Sequence, residues 1–330
     1  MNQRKNLIAL GLLICSFLSL AGSCPASQKA APSSPPSPPA ESNRQTMSLN
    51  QAIVLGAIEG LTEYLPVSST GHLLVAGRFM NIDGASSNSS ATSVKEALDA
   101  YTICIQIGAI LAVLGLYFRR VRQMGRGLLG RDAQGRRLLL NVTAGFMPAG
   151  VIGLLFNGTI KTYLFGTWPV IVAWFVGGWA ILIVCWRNKA KHRPADSGQS
   201  IEEMCWRMAL VIGFAQCIAM WPGVSRSLVT IVSGLLIGLS VPAAVEFSFL
   251  LGLVTLGAAT GYDLLKHGQL MLQTFDALTL AVGIAVAFVA AILSVKWMVS
   301  YLHRHGLVLF GYYRVGLALV TGLMLMTGTL

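Results

Sequence analysis

Two segments of this chain match each other at one offset, and each interrupts an apolar helix with polar residues. The first runs from Gly56 through Glu59, Glu63, Pro66, Ser68, Ser69 and Thr70 to His72. The second runs from Gly213 through Gln216, Pro222, Gly223, Ser225 and Arg226 to Ser227. Lying 157 positions apart, Gly56 meets Gly213, Glu59 meets Gln216, Val67 meets Val224, Ser68 meets Ser225 and Gly77 meets Gly234. Each segment reads as a short apolar helix, a Pro/Gly break, and serines opening a second short helix. Paired interrupted helices in the two halves of a membrane chain mark a substrate site. Ionisable residues at membrane depth are costly, so they are functional candidates.

Of the 330 residues, 54% are hydrophobic and 11% charged, against about 25% charged in a soluble domain. With repeated apolar stretches of about 20 residues, the fold class is an all-α polytopic membrane protein. The net charge of +11 comes from 24 basic and 13 acidic residues. In a membrane chain, arginines crowd the cytoplasmic loops and set orientation, so the partners are the bilayer and its lipids rather than nucleic acid. An anionic lipid substrate is compatible with this charge. The six cysteines have no metal-ligand or disulfide spacing.

Residues 1–24 carry Arg4 and Lys5, an apolar stretch from Leu7 to Leu20, and small residues ending at Cys24. That is the grammar of a signal peptide. Residues 25–46, rich in Pro and Ser, read as a disordered linker. A start at Met47 is the rival reading; either way the membrane domain is 47–330.

Within it the pattern predicts a broken pair (about 48–65 and 68–79) and spans near 98–118, 138–157 and 168–186. A second broken pair follows (about 206–221 and 225–238), then spans near 243–265, 276–297 and 307–328. Seven arginines lie in 119–137, and further basic residues in 187–207 and 296–305. These loops are cytoplasmic by the positive-inside rule if each broken pair is re-entrant. Three spans then separate equivalent points, so 47–190 and 201–330 are inverted repeats. The first pair dips in from outside, which opens the site to the extracytoplasmic side.

Glu59 and Glu63, four apart, share a helical face. Two such carboxylates repel unless a hard divalent cation, Mg²⁺ or Ca²⁺, joins them. Ser68, Ser69 and Thr70 are either helix caps or part of a phosphate-binding helix start. His72 can reach back one turn toward Ser68 or Ser69, the shape of an activated hydroxyl. Arg226 matches phosphate oxygens in geometry, with Ser225, Ser227 and Thr230 as further donors. The alternative is a salt bridge from Arg226 to Glu59 or Glu63. Arg314 is a weaker candidate that snorkels. Together these groups describe phosphoryl transfer to or from a lipid phosphate.

The motifs Glu59-Gly60-Leu61-Thr62-Glu63, Pro66-Val67-Ser68-Ser69-Thr70-Gly71-His72, Pro222-Gly223-Val224-Ser225-Arg226-Ser227 and Tyr312-Tyr313-Arg314 resemble the bacterial undecaprenyl-diphosphatase family, also called bacitracin-resistance proteins. The resemblance extends from about Met47 to the C-terminus. It implies a multi-pass enzyme of the bacterial cell membrane with interlocked inverted repeats and a divalent cation. That enzyme hydrolyses undecaprenyl diphosphate to the monophosphate for peptidoglycan synthesis and confers bacitracin resistance. It implies metal at Glu59 and Glu63, and catalysis by these with Ser68, Ser69, His72 and Arg226. Thr70, Ser225, Arg226, Ser227 and Thr230 would bind substrate. Attack by Ser69, His72 or a metal-bound water stays open, and a homodimer is compatible with such a chain. The sequence departs from the family pattern at Val224, at Leu228-Val229, and at Gly252-Leu253-Val254, which lacks an expected proline. The competing reading is a polyprenyl-phosphate flippase, since interrupted inverted repeats are transporter architecture.

Overall fold

The protein is seen in a computed structural model that describes residues 47–80, 91–164, 166–190 and 197–328. The signal-like segment and the linker lie outside the described residues. The rest is almost wholly helical. In chain order the helices are α1 (Leu49–Thr62), α2 (Ser69–Phe79), α3 (Ala91–Leu116), α4 (Phe118–Leu128), α5 (Ala133–Leu164) and α6 (Thr167–Ala190). They continue with α7 (Trp206–Gln216), a 3₁₀ turn at Cys217–Met220, α8 (Arg226–Leu236), α9 (Val241–Thr274), α10 (Ala277–His305) and α11 (Val308–Met326).

Five helices (α5, α6, α9, α10 and α11) are long and apolar enough to cross a membrane, and α3 with α4 makes a sixth candidate bent by 77°. The chain is thus a multi-pass membrane protein, and its spans fall where the apolar runs predict them. One element differs: Phe118–Leu128, expected as an arginine-rich loop, is helical. Its arginines leave Met124 and Gly127 on a buried face that packs on α5, where Gly127 meets Gly135 and Arg136.

Local signals explain several ends. Ser48 and Gln51 form a reciprocal capping box at the start of α1. Asp276 accepts from the Leu278 amide to start α10, and Gly306, at φ 67°, ends it.

Small residues set the packing. α1 lies along α10, α7 along α5, and α6 along α11. A methyl group on Gly56 would strike the Gly283 carbonyl, and one on Gly213 would strike Gly145. Gly60 likewise meets Ala287 and Ala290. Such close backbone approach is the usual means of association in membranes, where burial between helices supplies little drive.

Both breaks, Glu63–Ser68 and Trp221–Ser225, are non-helical backbone inside an apolar surround. Such backbone needs internal partners. Arg314 supplies them. Fully buried, it donates from Nη1 to Pro66 O (3.3 Å) and from Nη2 to Ala173 O (2.9 Å) and Gly223 O (2.8 Å). It therefore staples the two breaks to each other and to α6 instead of snorkelling. Ser227 Oγ adds a second tie by donating to Leu65 O at 2.8 Å.

Arg314→Leu is expected to leave the buried carbonyls of Pro66 and Gly223 without donors and to remove the tie to Ala173. It should cost about 3–5 kcal/mol, lowering the midpoint of thermal unfolding of detergent-purified protein by on the order of 10 °C. An unchanged midpoint would remove the staple from the account.

Candidate active site

Ser68 and Ser225 hold equivalent places at the two breaks, and both have left-handed backbone, φ 71° and 72°. Among the described residues they are the non-glycine positions with positive φ. Such conformers cost on the order of 1–3 kcal/mol and persist where the surroundings enforce them. At Ser68 the enforcement comes from its carbonyl, which accepts from His72 Nδ1 at 2.7 Å, and from the neighbouring Val67 O, which accepts from Trp174 Nε1 at 3.0 Å. Gly71 has no Cβ because the Trp174 ring lies there. At Ser225 the side chain caps Leu228 N at 3.3 Å and touches Ser227 Oγ at 3.0 Å.

Each strained serine turns its following helix toward a shared cavity of about 230 Å³. Glu63, Ser68, Ser69 and Thr70 come from one break, Ser225 and Arg226 from the other, and Gln106, Gln216 and Thr255 complete the polar wall. The first amides of α2 have no side-chain cap at Ser68, which leaves donors at a helix start for an anion.

Glu63 and Arg226 face one another across the cavity. Glu63 Oε2 accepts the Ser69 hydroxyl in a short hydrogen bond, while Glu63 Oε1 lies 3.5 Å from Arg226 Nη2. The salt bridge offered by the sequence as the alternative is thus present but incomplete. Arg226 Nη1 donates to Ser248 O at 3.1 Å, and the guanidinium carbon sits 5.4 Å from the centre of the Tyr64 ring. Nε and Nη2 are buried with no hydrogen-bond acceptor. A cation whose Nε has no acceptor and whose Nη2 is engaged only by a long ion pair, beside a polar cavity, keeps capacity for an anion. Gly252 matters here, because a methyl group would occupy the place of the guanidinium.

Glu59 lies one turn behind Glu63, 1% exposed, and neither carboxylate oxygen has a hydrogen-bond partner. Its neighbour Gln106 accepts from Thr260 Oγ1 at 2.8 Å through its carbonyl oxygen, which leaves the amide nitrogen for the Glu59 side. An orphaned buried carboxylate next to a second one fits a divalent cation. Mg²⁺ in particular takes one or two carboxylates and fills its remaining places with water and phosphate oxygens. No group of three or more His, Cys, Asp or Glu suited to a metal occurs among the described residues, so Glu59 and Glu63 are the carboxylates this site could offer such an ion.

Other expected site residues point elsewhere. His72 does not reach a serine hydroxyl: Nδ1 engages the Ser68 carbonyl, and Nε2 meets Tyr313 Oη at 2.7 Å. Thr230 Oγ1 is held by Arg226 O at 2.9 Å and Ser248 Oγ at 2.6 Å. With Ser227, it braces the arginine turn from behind instead of lining the cavity. Gln106, Gln216, Thr255 and Tyr313 are additions. Gln216 carried a signal as the counterpart of Glu59, Gln106 as a lone amide within an apolar run, and Tyr313 as part of the Tyr312-Tyr313-Arg314 motif; Thr255 carried none.

Residues 52–320 match the family model described as "Bacitracin resistance protein BacA". The chain is 45% identical over 267 residues to "Undecaprenyl-diphosphatase" of Sorangium cellulosum, covering 81% of this chain and 83% of that protein. It is 40% identical over 280 residues to "Undecaprenyl-diphosphatase" of Nitrosomonas europaea, covering 85% and 96%. It is 42% identical over 272 residues to "Undecaprenyl-diphosphatase 2" of Rhodospirillum rubrum, covering 82% and 93%. With carboxylates and an arginine meeting between two interrupted helices, and with that extent of similarity, the chain belongs to the bacitracin-resistance protein family.

Proposed function

We propose that this protein is an undecaprenyl-diphosphatase: it hydrolyses the terminal phosphate of the polyprenyl diphosphate carrier lipid, releasing inorganic phosphate and the lipid monophosphate. The observation that carries the reading is Arg226, buried at the cavity with Nε and Nη2 unfilled opposite a carboxylate that already accepts a serine proton. The names of the relatives support the same substrate.

The roles follow from the geometry. Arg226 binds the diphosphate and balances its charge, aided by the open amides at the start of α2 and by Ser225. As Glu63 takes its proton, Ser69 Oγ attacks the terminal phosphorus; the phosphoanhydride bond breaks and the lipid monophosphate leaves. Water then cleaves the Ser69 phosphate ester, freeing inorganic phosphate and restoring the hydroxyl. His72 holds the Ser68 carbonyl in its strained turn. Glu59 and Glu63 would hold Mg²⁺ or Ca²⁺, which when bound supplies charge neutralisation at the phosphate oxygens. A flippase needs no base on a hydroxyl, so the Ser69–Glu63 pair favours hydrolysis.

We further read the two halves as inverted repeats. In support, α1 packs on α10 and its counterpart α7 packs on α5. The paired glycines Gly56–Gly283 and Gly213–Gly145 carry these two contacts. With the arginine-rich corner on the cytoplasmic side, the cavity opens to the extracytoplasmic side of the bacterial cell membrane.

Phosphate release from undecaprenyl diphosphate by purified protein tests the reading. Arg226→Ala and Glu63→Gln should each lower turnover by roughly 100-fold or more, with the helical fold retained in detergent. Either variant working at the wild-type rate would refute the assignment. A chelator should abolish turnover and added Mg²⁺ or Ca²⁺ restore it; full activity in chelator would remove the metal from Glu59 and Glu63.

A further inference from the structure

A second cavity, of about 750 Å³, lies where α3 bends into α4. It shares no lining residue with the catalytic cavity. Gln106 and Leu116, one in each wall, are ten residues apart on α3, about 15 Å along the helix. Arg119, Arg120, Arg122 and Arg126 line it, against the carboxylates of Asp132 and Glu246. Arg120 engages Glu246 at 2.7 Å and Glu202 at 2.8 Å, and Asp132 accepts from the Gly135 amide at 2.8 Å. Arg119, Arg122 and Arg126, spaced three and four apart on one face of α4, form no ion pair among the described residues. The basin therefore carries surplus positive charge with open donors. Its position favours an amphiphile over a soluble anion. α4 leaves its span at 77° and exposes Phe118, Leu128 and Leu129 (44%, 75% and 69%) beside the arginines. A surface that exposes arginines and apolar side chains side by side suits the membrane interface, and basic pockets there take phosphate headgroups.

We propose that this basin binds the headgroup of a phosphate-bearing anionic lipid, Arg119, Arg122 and Arg126 holding the phosphate while Phe118, Leu128 and Leu129 meet the acyl chains. The inference does not depend on the phosphatase reading. Native mass spectrometry of the delipidated full chain, titrated with phosphatidylglycerol or phosphatidylcholine, tests it. Wild type should retain phosphatidylglycerol selectively. The triple variant R119Q/R122Q/R126Q should bind it on the order of 100-fold more weakly, and Arg122→Gln alone about five-fold more weakly. Phosphate release in phosphatidylcholine should stay unchanged in both variants. Equal retention of phosphatidylglycerol by wild type and variants would overturn the site. Displacement of the lipid by inorganic pyrophosphate at equal concentration would overturn the lipid as its ligand.

Discussion

Non-helical backbone at membrane depth has no water to satisfy it, and here the two breaks satisfy each other. Arg314 bonds the carbonyls of Pro66, Ala173 and Gly223, and Ser227 bonds that of Leu65. An arginine that takes carbonyls from both breaks can do so only when the breaks are adjacent. The staple thus fixes the spacing between the Glu63 side and the Arg226 side. The glycine contacts of α1 with α10 and of α7 with α5 seat the helices that lead into the two breaks.

The polar residues around the breaks divide by task. Ser227, Thr230, Ser248 and His72 all find protein partners, and they hold two left-handed serines in conformations a free chain would abandon. Glu63, Ser69 and Arg226 contact one another but keep capacity for a ligand, while the Glu59 carboxylate, beside Gln106 and Glu63, accepts no well-formed hydrogen bond. Strain and unfilled polar capacity coincide at the cavity, as expected where a fold gives up local stability for function. On our reading the missing partners are the diphosphate and its cation.

Much of this was legible in the residues. The offset linking Ser68 to Ser225 located both strained turns, because a Pro/Gly break followed by serine constrains the backbone locally. The apolar runs located the six spans, because bilayer thickness sets their length. Other features depended on tertiary partners that no spacing encodes. Arg314 read as a snorkelling side chain because its acceptors are backbone carbonyls from three distant segments. His72 read as a partner for a hydroxyl because helical spacing brings it near Ser68, yet Tyr313, 241 positions on, fixes the other ring nitrogen. α4 read as a loop because arginine density masked its narrow apolar face.

The most direct measurement is an experimental structure with a non-hydrolysable polyprenyl diphosphonate bound. The account predicts the headgroup between the two breaks, its oxygens within hydrogen-bond distance of Arg226 Nε and Nη2, and the terminal phosphonate facing Ser69. A headgroup seated away from both breaks, with the Arg226 donors still unfilled, would contradict it.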